Sequence, residues 1–207
     1  MKTNLKRFLA LMAVVAIGTV VARATALTSG SAIAMSLEAE PVGATIVTTA
    51  SVPFTSLTFG GRLVSTVWAN DVSNPFGGLT FTYQLFNNGP DTLERLTLSS
   101  YAGFLTDASY SGTGVVPLNV VRNGAGNQIS FNFRDAVDQA TLTPGANSPL
   151  LIIQTDSAVW QNSIAGVIDS STVNVASFAP AVVPEPATAT LAVLGVMACL
   201  AGRRLKP

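Results

Sequence analysis

Histidine is missing from all 207 residues, cysteine occurs once, and only 11% of the side chains are charged, against roughly 25% in an average soluble domain. Each shortage removes a class of chemistry. Without histidine there is no Ser-His-Asp or Cys-His nucleophile, no imidazole general base, and no His/Cys cluster of the kind that ligates zinc. With Cys199 alone, no intramolecular disulfide can form, so a folded domain here is held by its core. A cysteine-free body also suits a compartment where a stray thiol would be oxidised. No Asp-x-Asp-x-Asp-Gly calcium loop occurs, which leaves open only a calcium site assembled from distant carbonyls and Asp residues, and the sequence specifies no metal ligands, no cofactor and no catalytic residues.

Basic charge is scarce where it would matter for polyanions. Lys2, Lys6, Arg7, Arg23, Arg203, Arg204 and Lys206 all lie near the two ends. Residues 27–180 carry four arginines (Arg62, Arg95, Arg122, Arg134) against ten acids, a net of −6 that the overall charge of zero conceals. A lysine-free, acidic body repels phosphate backbones, which excludes nucleic acid as a partner.

What is abundant is apolar sequence at both ends. Lys2, Lys6 and Arg7 precede the apolar Phe8–Val21, and the small residues Ala22-Arg23-Ala24 and Ala24-Thr25-Ala26 follow. That three-part build is a secretory signal, read over residues 1–26, with cleavage expected after Ala24 or Ala26. At the other end Val182-Val183-Pro184-Glu185-Pro186 leads into the apolar Ala187–Gly202 and then Arg203-Arg204-Leu205-Lys206. Sixteen helical residues reach roughly 24 Å, a short span of the ~30 Å hydrocarbon core. The basic cluster behind it acts as a cytoplasmic stop, leaving everything before Pro184 outside the membrane. Cys199 reads as a small apolar filler of that helix, with acylation the alternative.

The prolines flanking Glu185 lack amide hydrogens and resist helix, so the tripeptide is presented extended at the bilayer edge. Taken with the apolar run and the arginine pair, residues 181–207 resemble the PEP-CTERM sorting signal of exopolysaccharide-producing Gram-negative bacteria. The resemblance implies that Pro184, Glu185 and Pro186 are recognised by exosortase, a membrane-embedded transpeptidase-like enzyme. It also implies that residues 187–202 form the transmembrane anchor in the inner membrane and that Arg203 and Arg204 are the stop. The expected destination is the cell envelope or extracellular matrix.

Between the ends, residues 27–180 alternate apolar and small polar side chains with period two, the pattern of half-buried strands. Leu79–Leu85 and Leu93–Leu98 are separated by Asn87-Asn88-Gly89-Pro90-Asp91 and are expected to form a neighbouring antiparallel pair. Further strands are expected over Ala44–Thr49, Leu63–Ala69, Val115–Val121, Gln128–Phe133, Leu150–Thr155, Ser163–Ile168 and Thr172–Phe178, with a hairpin loop at Asn123–Asn127. Arg134–Ala140 could make one helical turn before Pro144. The fold class is therefore all-β, an antiparallel β-sandwich of immunoglobulin-like or jelly-roll-like type, flanked by a signal helix and a C-terminal transmembrane helix. Tyr83–Gly89, Leu93–Leu98, Tyr101–Phe104 and Thr106-Asp107 are also similar to bodies that precede PEP-CTERM tails, which again implies a sandwich.

This sequence fits an exported, non-enzymatic surface or matrix protein. The alternative is a carbohydrate-binding module within exopolysaccharide, with Trp160 and Tyr101 as sugar-stacking contacts; Trp68 is expected in the core and Tyr110 is a weaker candidate. A hydrolase would need two facing carboxylates. Asp135 with Asp138, and Asp91 with Glu94, are the nearest pairs, and each reads more simply as turn acids.

Overall fold

The alternating segments do fold as strands in the computed structural model, which describes residues 26–38, 41–134 and 142–183. In chain order these are β1 (Ala32–Ile33), β2 (Thr45–Thr55), β3 (Phe59–Ala69), β4 (Thr80–Pro90), β5 (Arg95–Ser99), β6 (Thr106–Ser111), β7 (Asn119–Arg122), β8 (Gln128–Asn132), β9 (Leu150–Thr155), β10 (Val159–Asp169) and β11 (Ser171–Ala181). Pairing is antiparallel throughout these strands, in a five-stranded sheet β2-β3-β4-β9-β6 and a six-stranded sheet β1-β7-β8-β5-β10-β11. There is no helix among the described residues. The signal segment through Thr25, the Arg134–Ala140 turn beyond Arg134, the Pro184–Pro186 motif, the 187–202 helix, Cys199, Arg203 and Arg204 lie outside them.

One core lies between the sheets. Leu63, Val67, Phe81, Tyr83, Leu85, Leu151 and Ile153 face it from the first sheet, and Leu96, Leu98, Val120, Ile129, Phe131, Val167 and Val175 from the second. Each such side chain contributes roughly 1.5–3 kcal/mol by leaving water, and no covalent cross-link assists. At its centre the Tyr83 hydroxyl donates to the Phe178 carbonyl of the opposite sheet at 2.6 Å and accepts from the Tyr101 hydroxyl at 2.7 Å. Burial pushes both phenols well above their ordinary range.

One expected pairing is corrected. β4 and β5 are not neighbours: β4 belongs to the five-stranded sheet beside β3 and β9, whereas β5 lies between β8 and β10 in the other. The Asn/Gly/Pro run is a crossing between sheets, not a hairpin. β4 continues alongside β3 to Pro90, and the Asn87 amide then donates to the carbonyls of Asp91 (2.8 Å) and Leu142 (2.7 Å), steering the chain away. The register slips there between Gly60 and Gly61, and a Cβ on Gly61 would meet the Phe86 carbonyl oxygen at 2.0 Å, so no other residue fits. The expected Asn123–Asn127 hairpin does form between β7 and β8, with the Asn123 side chain accepting the amides of Asn127 and Gln128. The strand expected from Val115 begins only at Asn119, because Pro117 has no amide to give a ladder.

Arg122 shows how loops are fastened to this frame. It is buried, and its guanidinium donates to the carbonyls of Gly126 (3.0 Å), Leu27 (3.1 Å), Tyr101 (2.7 Å) and Phe104 (2.9 Å) and to the Thr106 hydroxyl (2.7 Å). Every partner is neutral, so the side chain serves as a five-pronged clamp. Arg122→Met leaves these acceptors bare and should cost at least ~2 kcal/mol, a fall in Tm of more than about 4 °C in thermal denaturation. Arg122→Lys, with three donors and no fork, should not restore it.

Candidate functional site

Residues directly opposite one another on antiparallel strands share a face. By that rule Asp107 (β6), Gln154 (β9), Thr80 (β4), Trp68 (β3) and Ile46 (β2) form a row across the five-stranded sheet. The core side chains Ala108, Ile153, Phe81 and Val67 follow or precede them by one residue, so this row stands on the sheet's other face. At its β4–β9–β6 end this face is not wetted. Asp107, Gln154 and Thr80 are all buried, and Ser109, Thr82 and Ile152 in the next row are buried too.

Two flanking segments are fastened beside this face, one along the β6 edge and one at the β3–β4 end. The amide of Glu38 donates to the Tyr110 carbonyl at 2.9 Å, which ties residues 36–38 to the β6 edge. The amide of Val42 donates to the Asp71 carboxylate, and that of Val72 to the Val42 carbonyl. The loop from Asp71 to Leu79 is shaped by its own side chains: the Asp71 carboxylate accepts the amide and hydroxyl of Ser73, and the Asn74 amide donates to the Gly78 and Thr155 carbonyls, each at 3.0 Å. Gly78 lies so close to β9 that a Cβ would come within 2.5 Å of the Asp156 and Thr155 backbone.

Two acids on this face meet opposite fates. Burial works to raise the Asp71 carboxyl, but donors from Ser73, Thr80 and Gln154 outweigh it and hold the group below its ordinary value. Asp107 has only the Ala108 backbone amide to pull it down, and that amide is too poorly aimed to make a regular hydrogen bond to either oxygen. Burial and the nearby Glu38 charge outweigh it and push the carboxyl up to about 7. Glu38 is itself raised by burial, with the Ser36 and Ser109 hydroxyls pulling back. Opposite Asp107, the Gln154 Nε2 is committed to Asp71 and Ser73 at 3.2 Å each, which leaves its buried Oε1 without a partner.

The residues singled out from sequence fare differently. Tyr101 is withdrawn as a ligand contact: it is wholly buried, edge-on to Phe81 and bonded to Tyr83. A tyrosine beside a turn is drawn inward here because Tyr83 supplies a partner for its hydroxyl. Trp160 remains at the surface, 36% exposed, with its ring edge-to-face on Phe178 at 5.1 Å. Trp68 is half-buried on the outer row, donating to the Thr82 hydroxyl, and is not part of the inter-sheet core. It shares no sheet with Trp160. Ala26, the second cleavage candidate, is exposed and pairs with Asp107. Of the paired acids, Glu94 is taken up in an ion pair with Arg134. Asp91 stays exposed, and both bear on Asp169, whose carboxyl is raised first by burial and then by these two charges. Asp135 and Asp138 lie outside the described residues. Two open crevices, about 330 Å³ beside Pro53, Phe59 and Pro90 and about 270 Å³ beside Leu27, Phe104 and Arg122, have no carboxylate in their walls.

Asp107 and Gln154 had no signal in the sequence. Thr106–Ser111 reads Thr-Asp-Ala-Ser-Tyr-Ser, too polar to mark a strand buried on both faces. No protein-family model, no curated protein and no solved structure matches the chain.

The raised Asp107 carboxyl has a definite pH consequence. The folded state holds this proton more tightly than the unfolded chain, so the group's stabilising effect is complete below about pH 4 and is lost as pH rises to about 7. Asp107→Asn removes the charge and supplies a donor for Gln154 Oε1. In metal-free buffer at about pH 8 this variant should melt about 3–8 °C above the wild type, and the gap should close by about pH 4. A wild-type Tm that does not fall over that interval contradicts the assignment.

Proposed function

We propose that this chain is an exported, non-enzymatic surface or matrix protein, sorted and processed through Pro184-Glu185-Pro186 by an exosortase-type enzyme. The observation that carries the reading is the order of segments: a signal-like N-terminus, a cysteine-free β body, an extended Pro-Glu-Pro, a sixteen-residue apolar run and an arginine pair. The two sheets around one core are read as a β-sandwich, whose second outer face carries Thr97, Ser130, Thr172 and Asn174 and is wetted mainly by hydroxyls and amides, with Arg95 at its edge. The ends of that body support the division. β11 stops at Ala181, and Val182 and Val183 stand exposed immediately before Pro184, which suits a tripeptide offered to a membrane-bound groove. At the other end Leu27 is buried against β6 while Ala26 is exposed, so cleavage after Ala24 or Ala26 spares the buried part.

The inner membrane is then a station in transit, through residues 187–202, and the envelope or matrix is the destination. Trp160 with Gln161 and Asn162 keeps carbohydrate adhesion as the second reading. Intact mass of the mature protein, from cells with and without the processing enzyme, tests the first. The tail after the motif should be absent in the former and present in the latter, and Pro184→Ala with Pro186→Ala should reproduce the second mass. Residues 187–207 retained in both strains would overturn the reading. For adhesion, glycan-array signal that disappears in Trp160→Ala is the expected outcome, and a silent array removes that second reading.

A further inference from the structure

Buried polar atoms in folded proteins are overwhelmingly paired, which makes the exceptions on the outer face of the five-stranded sheet informative. Asp107 is 2% exposed and Gln154 4%. They face each other across the β6–β9 ladder, and both Asp107 oxygens and the Gln154 Oε1 lack partners. Gln154 cannot turn its amide around to help, because its Nε2 is held by the Asp71 carboxylate and the Ser73 hydroxyl. Glu38 is brought to the same place by the Glu38–Tyr110 backbone bond, where it approaches Ser109 and its charge acts on Asp107. None of the four described arginines pairs with Asp107: Arg62 stacks on Phe86, Arg122 clamps loops, Arg134 holds Glu94, and Arg95 is exposed at the end of β5. The three unpartnered atoms, two on Asp107 and one on Gln154, are all oxygens, the neighbouring Glu38 adds a second carboxylate bonded only by hydroxyls, and what the group lacks is a cation.

We propose that Asp107, Gln154 and Glu38 form a binding site for a hard divalent cation, calcium above others. Calcium accepts six to eight oxygens from carboxylates, amide carbonyls and waters at roughly 2.3–2.6 Å in flexible geometry. Asp107 offers two oxygens, Gln154 one and half-buried Glu38 its carboxylate, with water completing the shell from the Glu38 side. Magnesium demands a tighter octahedron and keeps most of its water, which suits a bidentate, largely buried carboxylate less well. Softer metals are disfavoured because residues 26–183 contain neither histidine nor cysteine. Among the described residues no three His, Cys, Asp or Glu side chains converge to hold a metal. A set of two carboxylates and one neutral amide therefore places the affinity at roughly 10^-4 to 10^-3 M, the range of extracellular modules. The ion would bind residues 36–38 to β6 and β9 and so brace the edge on which Ala26 also pairs. The site does not depend on the sorting reading.

The test uses the secreted mature protein, stripped with chelator and titrated with calcium chloride, magnesium chloride or sodium chloride at matched ionic strength. Calorimetric titration should show one calcium site in that range, and Tm should rise saturably by several degrees, with a smaller response to magnesium. Asp107→Asn, which should fold well without metal, should lose the calcium heat and the Tm response. Glu38→Gln should weaken binding about tenfold or more. No calcium heat in the wild type, or an equal response in wild type and Asp107→Asn, overturns the proposal. A calcium-independent protein whose Tm instead rises on removal of the signal segment also overturns it, since the new α-ammonium beside Ala26–Leu27 would then be the counter-charge of Asp107.

Discussion

Polar atoms taken out of water must find partners inside the protein, and this chain uses that requirement in place of covalent cross-links. Hydrogen bonds of the Tyr83 hydroxyl join the two sheets through the middle of the core. The guanidinium of Arg122 gathers the N-terminal segment and two loops. Asp71 fixes its own loop, the amide of Val42 and the side chains of Thr80 and Gln154. Because these groups are buried, each bond is shielded from competing water, and losing one partner would strand the other. Asp107 stands out against this background because it alone among the buried acids has both oxygens unmatched.

The same requirement separates the two faces of the five-stranded sheet. Its inner face is apolar and shared with the six-stranded sheet. Its outer face is polar and buried at the β4–β9–β6 end, beside the Asp71–Leu79 loop and residues 36–38 paired to the β6 edge, an arrangement that concentrates acids and amides where the dielectric is low. A chemically active or ion-binding face follows more readily from that than from the other sheet's hydroxyl-lined surface, where water satisfies each group. Under the proposed export of this chain, a face stabilised by a cation from the medium would mean that rigidity is gained after export.

Much of the strand inventory was legible because alternation is local. The alternation gives Leu150–Thr155 the bounds it has in the fold, and the neighbours of Asn123–Asn127 are legible as a hairpin because asparagine and glycine write turn chemistry into the sequence. The long β10–β11 hairpin was read only over its inner halves, since Trp160-Gln161-Asn162 breaks the alternation although its backbone pairs with Phe178–Pro180. β6 was missed because both its faces are buried and one is polar. Tyr101, expected outward, lies inward, since its place depends on an acceptor oxygen that Tyr83 supplies from another strand.

The sequence by itself determined the strand character of the body and the exclusion of histidine and intramolecular disulfide chemistry, because composition and period-two patterning need no knowledge of the fold. Only the tertiary structure decided that β4 and β5 part company into different sheets and that Gln154 lies opposite Asp107. Both outcomes rest on which distant strands share a ladder and in what register, and those choices are made by burial and pairing summed over the whole body, not by any residue's immediate neighbours.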